Sequence, residues 1–129
     1  MTLYELSFAR IIIFEEDLAE VIINQGVEMT ESMVDEYHDF LRRHLHAPFS
    51  LLVNKINDYS YDFEAQKKLA AIPEIHQMAV VAYKRSTENV TRLMTVIPRE
   101  YEWKLKIFSD RDAALEWLRE DQLAIERAD

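Results

Sequence analysis

Residues 3–8 alternate between apolar and polar side chains, which is the pattern of a β-strand with one buried face. A β-branched run continues this strand to residue 14, and three acidic residues at 15–17 separate it from a second β-branched strand at 18–24. The pattern predicts an antiparallel hairpin at the beginning of the chain. Gly26, the only glycine in the sequence, closes the second strand, and we expect a positive φ there.

An amphipathic helix is predicted at 33–45, where apolar residues recur at helical spacing. Thr30 is suited to cap its N-terminus, and the helix should stop before Pro48. The next segment, 50–56, contains consecutive apolar residues, which is typical of a strand covered on both faces. We expect this strand to be central in the sheet and the polar turn that follows it, 57–62, to present a site.

The second half of the chain alternates between helices and strands. The first predicted element is a helix at 63–72, which Asp62 caps and which has Phe63 on its apolar side. A buried strand at 78–83, a helix at 86–97 and an edge strand at 103–108 are predicted to follow. The last predicted element is a helix through 118, which a capping-box-like segment at 109–112 precedes. We expect the tail from residue 120 onward to fray.

The predicted element order is therefore ββαβαβαβα. Short connections between strands and helices require parallel neighbours in the later part of the chain, whereas the initial hairpin is antiparallel. The sequence predicts an α/β fold in which a mixed sheet begins with this hairpin and helices pack on the sheet.

Composition is consistent with one domain spanning residues 1–129, since 49% of the residues are apolar and no linker or internal repeat is visible. The absence of cysteine excludes disulfides, thiol catalysis and cysteine-based metal sites. Neither a secretion signal nor an apolar run long enough to cross a membrane is visible, so we expect no membrane span and a cytoplasmic protein.

The formal net charge of −9 is concentrated in the first half of the chain. Residues 1–65 hold 4 Lys/Arg against 13 Asp/Glu, whereas residues 66–129 hold 11 against 11. Because a negative surface repels phosphate backbones, we expect no nucleic-acid partner. The charge asymmetry between the two halves permits a head-to-tail or two-fold homodimer.

Motifs typical of catalysis are absent from the sequence, including a glycine-rich phosphate loop, a Gly-x-Ser-x-Gly elbow and a His-Glu-x-x-His helix. An acidic cluster is expected to be a solvated hairpin tip rather than a catalytic or calcium site: Glu15, Glu16, Asp17, Glu20 and Glu28. Three histidines, His38, His44 and His46, do not supply a convincing metal-ligand spacing. We expect no metal, no cofactor and no enzymatic activity.

The turn 57–62 holds the first candidate site. Its candidate residues for partner contact or phosphorylation are Asp58, Tyr59, Ser60, Tyr61 and Asp62. Open α/β sheets bind ligands at the carboxyl ends of their strands, which favours a contact surface here. The same residues are also consistent with a helix entry that Asp62 or Ser60 caps, with both tyrosines half-buried over the core.

A second candidate site is an apolar cleft on the predicted helix at 86–97. The cleft residues are Arg92, Leu93, Met94, Ile97 and Tyr101. Basic residues at its rim would suit an anionic amphiphile or an acidic partner surface. The apolar members of this stripe are also consistent with ordinary core residues.

Several segments resemble a known family. They are Val27-Glu-Met-Thr30, the polar turn after the central strand, and the closing Ile107-Phe-Ser-Asp-Arg-Asp-Ala-Ala-Leu-Glu-Trp-Leu118. In these segments and in its element order, nearly the whole chain resembles small proteins of the STAS class (sulfate transporter and anti-sigma-factor antagonist). It is most similar to the stand-alone branch that resembles the sporulation anti-anti-sigma factor.

The resemblance implies a STAS-like fold and a regulatory role through protein contacts. In regulators of that class, a partner kinase phosphorylates a serine in the loop after the central strand, within a pattern similar to Asp-Ser-Ser-Gly. Ser60 fits by placement, although the second serine and the glycine are missing here. Some members of the branch are grouped with a fold related to CRAL-TRIO lipid carriers, which implies an apolar ligand as a second possibility.

The sequence thus leads us to expect a non-catalytic regulatory or protein-interaction module of STAS type. An unknown protein would be its partner, and the turn 57–62 would be its contact surface. The alternative is a small carrier that binds an apolar or anionic, lipid-like ligand in the cleft near the helices at 63–72 and 86–97.

Overall fold

The structure is a computed structural model that describes residues 1–69, 72–85, 87, 89 and 104–128; in the last helix, side chains are described through residue 121 and at residue 123. The described elements are eight strands and three helices. In chain order they are β1 (Thr2–Glu5), β2 (Ala9–Glu15), β3 (Leu18–Ile23), β4 (Glu28–Met29), α1 (Glu31–His44), β5 (Phe49–Asn54), β6 (Ser60–Tyr61), α2 (Phe63–Lys68), β7 (Ile75–Val81), β8 (Lys104–Phe108) and α3 (Arg111–Ala128).

The main sheet contains six strands in the order β1-β2-β3-β5-β7-β8. Antiparallel pairing joins β1, β2 and β3, whereas β3, β5, β7 and β8 pair in parallel. The predicted α/β fold, with a mixed sheet, an initial antiparallel hairpin and helices packed on the sheet, is confirmed. So is the central position of β5, which has a buried strand on each side and is itself buried along its whole length.

The segment predicted as one strand from residue 3 to residue 14 is instead folded back on itself as β1 and β2. The chain reverses at residues 7 and 8, where the Leu6 N–H donates a hydrogen bond to the Ala9 carbonyl oxygen at 2.8 Å. Neither glycine nor proline lies in this turn. The sequence therefore lacks the residues that usually signal a reversal.

Helices cover both faces of the sheet. One face packs against α1 and α2 in the larger core cluster, in which Val21, Leu51 and Val80 from the strands meet Val34 and Leu41 from α1. The other face packs against α3 in a second, smaller cluster. Its buried members are Leu18, Leu52, Ala79, Val81, Ala114, Leu115 and Leu118. The alternation of side chains along β3, β5 and β7 assigns successive residues to these two clusters.

The helix starts largely follow the predicted caps. Thr30 Oγ1 accepts from the Met33 N–H at 3.3 Å, and Asp62 Oδ1 accepts from the Ala65 N–H at 2.8 Å. At α3 the capping side chain is Asp110, which accepts from the Asp112 N–H at 3.2 Å. These contacts satisfy N–H groups that have no partner within the helix.

Three predictions about the helices are wrong. Phe63 is 68% exposed rather than packed on the core, because it is the first residue of α2 and only Ala65 of that helix is buried. The helix α2 ends at Lys68, before the predicted boundary at 72. The helix α3 continues to Ala128 instead of fraying from residue 120. The predicted helix at 86–97 lies outside the residues that the structure describes as an element.

Gly26 has the predicted positive φ, at 77°. In the part of the chain that the structure describes, none of the helices has the length and apolar character needed to cross a membrane.

Candidate functional site

The turn 57–62 leaves the central strand at the carboxyl edge of the sheet. At this edge the parallel register pairs Asn54 of β5 with Val81 of β7. One further backbone hydrogen bond, from the Lys55 N–H to the Val81 carbonyl oxygen at 3.0 Å, continues the ladder past β5. The segments that leave β5 and β7 therefore start side by side.

Backbone hydrogen bonds fasten this turn to the connection between β3 and α1. The Gly26 N–H donates to the Asp58 carbonyl oxygen at 2.7 Å, and the Ser60 N–H donates to the Val27 carbonyl oxygen at 3.0 Å. The two-residue strands β4 and β6 then pair in parallel directly after these contacts. In addition, Asn57 Nδ2 donates to the Ile23 carbonyl oxygen at 3.0 Å. The turn is thus held in one conformation by contacts along most of its length.

Tyr59 and Tyr61 point toward the interior. Both pack against the larger core cluster, their ring centroids lie 5.5 Å apart, and the Tyr61 hydroxyl donates to the Tyr59 hydroxyl at 3.4 Å. Burial raises the pKa of Tyr61 to about 12 and raises the pKa of Tyr59 well above its ordinary value. With Asp62 as the cap of α2, these two tyrosines have the positions expected from the capping interpretation.

The other candidate residues of the turn face solvent. The side chains of Asp58 and Ser60 are exposed, and Asp58 Oδ1 lies 3.4 Å from Lys84 Nζ, just after β7. The structure therefore separates the five candidates into two exposed residues, two core-packed tyrosines and one helix cap.

Large apolar side chains lie exposed around this turn. Ile56 is 60% exposed and Tyr83 is 47% exposed. Ile56 follows β5 and Tyr83 follows β7, and these two strands are parallel neighbours, so both residues lie beyond the carboxyl edge of the sheet. The exposed Phe63 begins the helix that leaves the turn. We call the set Ile56, Asp58, Ser60, Phe63 and Tyr83 the carboxyl-edge surface.

Lys55 lies at the same edge, on the opposite side of the strand from Asn54. Its Nζ is 5.7 Å from the centroid of the Tyr59 ring. Burial lowers the pKa of Lys55 to about 8. Sequence reasoning did not single out this residue, since a lysine that follows a strand is ordinarily solvated.

The prediction that the acidic cluster is a solvated hairpin tip is wrong for Glu20 and Asp17. Glu20 is only 1% exposed, and Asp17 is also buried. Arg111 Nη2 donates to Glu20 Oε1 at 2.6 Å, Arg111 Nε donates to Oε2 at 3.0 Å, and Asn54 Nδ2 donates to Oε2 at 2.9 Å. Because three nitrogen donors surround the carboxylate, its charge can remain buried.

Asn54 leaves one polar atom of this cluster unpaired. Its Oδ1 is buried and has no hydrogen-bond partner among the described residues. The neighbouring Arg111 guanidinium also lies 5.8 Å from the centroid of the Phe14 ring, and the adjacent Glu20 carboxylate raises the pKa of Arg111. The cluster joins β3, β5 and α3, and its members face the α3 side of the sheet.

The histidines do not converge on a common site. His38 is buried on α1, its Nε2–H donates to the Leu69 carbonyl oxygen at 3.0 Å, and burial lowers its pKa. His44 is exposed and stacks on Phe40, with centroids 4.1 Å apart. Within the described residues, no group of three His, Asp or Glu side chains could hold a metal ion.

A polar groove of about 380 Å³ lies between α1 and α2. Its lining residues are Asp35, His38, Asp39, Arg42, Lys68 and Ile72. Most of its charges are paired, since Lys68 Nζ lies 3.3 Å from Asp35 and Arg42 Nε lies 2.8 Å from Glu74. The groove therefore offers a ligand little uncompensated charge.

The predicted apolar cleft formed by Arg92, Leu93, Met94, Ile97 and Tyr101 lies outside the described residues. Comparison of the chain with protein-family models, curated proteins and solved structures gives no significant match.

Proposed function

We propose that the protein is a non-catalytic interaction module of STAS-like type that binds another protein through the carboxyl-edge surface. The observation that carries this proposal is the exposure of Ile56 and Tyr83 on the two segments that leave the neighbouring parallel strands β5 and β7. A surface that is already ordered loses little conformational entropy when a partner binds. Exposed isoleucine and tyrosine side chains can then bury apolar area at the centre of a contact.

The partner should present an apolar patch with basic residues at its rim. The chain has a net charge of −9, and the first half, which supplies the turn, carries all of this excess. Asp58 projects from the turn with most of its side chain exposed. Electrostatic complementarity of this kind orients a partner and accelerates association more than it adds affinity.

Ser60 is the proposed regulatory position. Its side chain is exposed, and its backbone N–H fixes the turn to Val27. A phosphate on Ser60 would add close to two negative charges near Asp58 and Asp62. Repulsion within the turn would then disturb the surface that contains Ile56, so we expect Ser60→Asp to weaken partner binding.

The test begins with identification of a protein that copurifies with the untagged chain from its own host, followed by titration of the two purified proteins. We expect the double variant Ile56→Ser/Tyr83→Ser to bind at least about 10-fold more weakly than wild type, which corresponds to the loss of about 1.4 kcal/mol. The matched control is Leu123→Ser, because Leu123 is a similarly exposed apolar residue (50%) on α3. Tyr59 is unsuitable for this purpose since it packs on the core.

Equal affinity of wild type and the double variant would contradict the proposal. A native mass above 15.3 kDa that returns to this value on denaturation, with no protein bound, would support the carrier function instead. The titration reads the first outcome, and native and denaturing mass spectra of the gently purified protein read the second.

A further inference from the structure

The strand β1 lies at one edge of the main sheet, with β2 on one side and no described strand on the other. In the hairpin, the Leu6 N–H donates to the Ala9 carbonyl oxygen. Hydrogen-bonded and non-hydrogen-bonded pairs alternate along antiparallel strands. Tyr4 and Thr2 therefore exchange hydrogen bonds with β2, whereas Leu3 and Glu5 direct their N–H and C=O groups away from the sheet.

The side chains of β1 also favour pairing at this edge. Leu3 is 51% exposed and pairs with Ile12 of β2, on the α3 side of the sheet. Lysines are a common protection of edge strands, and β1 contains none. The opposite edge strand, β8, carries Lys104 and Lys106. The two edges thus differ in the feature that usually prevents strand pairing.

We propose that a second copy of this chain pairs with β1 in antiparallel orientation, so that two sheets become one continuous sheet across a two-fold axis. A two-fold axis perpendicular to the sheet keeps each face on its own side. Directly opposed residues must then belong to the same face. Two registers pair most residues of β1 with the second copy: one has Leu3 at the two-fold axis and the other has Tyr4 there.

The side chains select the register centred on Leu3. This register places Leu3 opposite Leu3 of the second copy, with the two Ile12 residues as their neighbours, and so forms one apolar row across the interface. It also places Glu5 opposite Met1 of the second copy, so that no two like charges face each other. The register centred on Tyr4 would place Leu3 opposite the Glu5 carboxylate, which offers no apolar pairing.

A second copy is favoured over pairing of β1 with β8 of another molecule. Contact between two different edges would leave free edges at both ends and generate an open chain of molecules. The lysines of β8 oppose that contact. Pairing of β1 with β1 occupies both β1 edges, so this contact produces a dimer and no larger assembly.

Single-cysteine variants test the register directly, because the chain contains no cysteine. Residues in a hydrogen-bonded antiparallel pair have Cα atoms about 5.5 Å apart, within the roughly 4.4–6.8 Å that a disulfide spans. Under mild oxidation we expect Leu3→Cys to form a covalent dimer rapidly. Glu5→Cys should cross-link slowly, because Glu5 lies two residues from the two-fold axis and does not face Glu5 of the second copy. Leu123→Cys is the control for chance collision, because Leu123 is as exposed as Leu3, and it should also cross-link slowly.

Native mass spectrometry and sedimentation over a concentration series provide the independent readout, with any purification tag placed after residue 129. We expect wild type to shift from monomer to dimer with concentration and Leu3→Lys to remain monomeric with an unchanged circular-dichroism spectrum. Wild type that is monomeric throughout the series, or Leu3→Cys that cross-links no faster than Leu123→Cys, would overturn the proposal. Faster cross-linking of Tyr4→Cys than of Leu3→Cys would overturn the register.

Discussion

Arg111, the first residue of α3, donates hydrogen bonds to both carboxylate oxygens of Glu20, which lies in the middle of β3. The pair connects the last helix to the sheet across a sequence separation of 91 residues. Asn54 contributes a third donor from the neighbouring strand β5. The ion pair is therefore part of the packing of α3 on the sheet rather than a surface contact.

Removal of the arginine should be strongly destabilising. Among the described residues, Arg111→Met leaves the buried Glu20 carboxylate with the Asn54 amide as its one side-chain donor, and we expect a loss of about 3 kcal/mol in the free energy of unfolding. The matched control is Arg119→Met on the same helix, because Arg119 faces the exposed Glu15 at 3.7 Å. A surface pair of this kind contributes less than about 1 kcal/mol. Urea denaturation of both variants measures the difference.

The double variant Glu20→Gln/Arg111→Met separates the cost of the buried charge from the cost of lost packing. Without the carboxylate there is no uncompensated charge, so we expect the double variant to be more stable than Arg111→Met alone. Equal stability of these two variants, or equal losses for Arg111→Met and Arg119→Met, would show that the pair does not hold α3 on the sheet.

The architecture was largely predictable because the consecutive apolar residues at 51–53 indicate a strand buried on both faces. The burial of Glu20 was not predictable, since a carboxylate in a hairpin is ordinarily solvated and the arginine that neutralises it is remote in sequence. The only local signal was a charged residue within a β-branched strand. The position of Ile56 and Tyr83 at one edge of the sheet depends on the parallel pairing of β5 with β7, which the sequence alone does not specify.

The pH dependence of stability should show the titration of Lys55. Burial lowers its pKa to about 8 from the ordinary value of 10.5, so the unfolded chain binds more protons than the folded protein between these values. The free energy of unfolding should therefore rise with pH from about pH 8 to about pH 10.5. Lys55→Met, which cannot titrate, should be more stable near pH 7 and give a flatter profile. Parallel profiles for wild type and variant would contradict this.

Asp62 should act through the N-terminus of α2. Its carboxylate accepts a hydrogen bond from the Ala65 N–H at 2.8 Å, so Asp62→Ala should lower the free energy of unfolding by about 1 kcal/mol. Asp62→Asn should retain most of this stabilisation, because asparagine also caps helices. Ser60→Ala serves as the neighbouring control, because the exposed Ser60 fixes the turn through its backbone N–H. Thermal melts of the three variants provide the measurement. An effect of Ser60→Ala as large as that of Asp62→Ala would contradict the capping role.

Gly26 should be required for its backbone conformation rather than for space. Its φ is 77°, yet a Cβ added there would meet no atom within 4 Å. Gly26→Ala should therefore cost about 1–2 kcal/mol, the penalty of the left-handed conformation for an L-residue. Gly26→Asn should cost less, since asparagine tolerates this region. The Gly26 N–H also donates to the Asp58 carbonyl oxygen, so the alanine variant should show faster amide exchange in the turn 57–62. Equal stability of the alanine and asparagine variants would indicate that the chain relaxes to a negative φ.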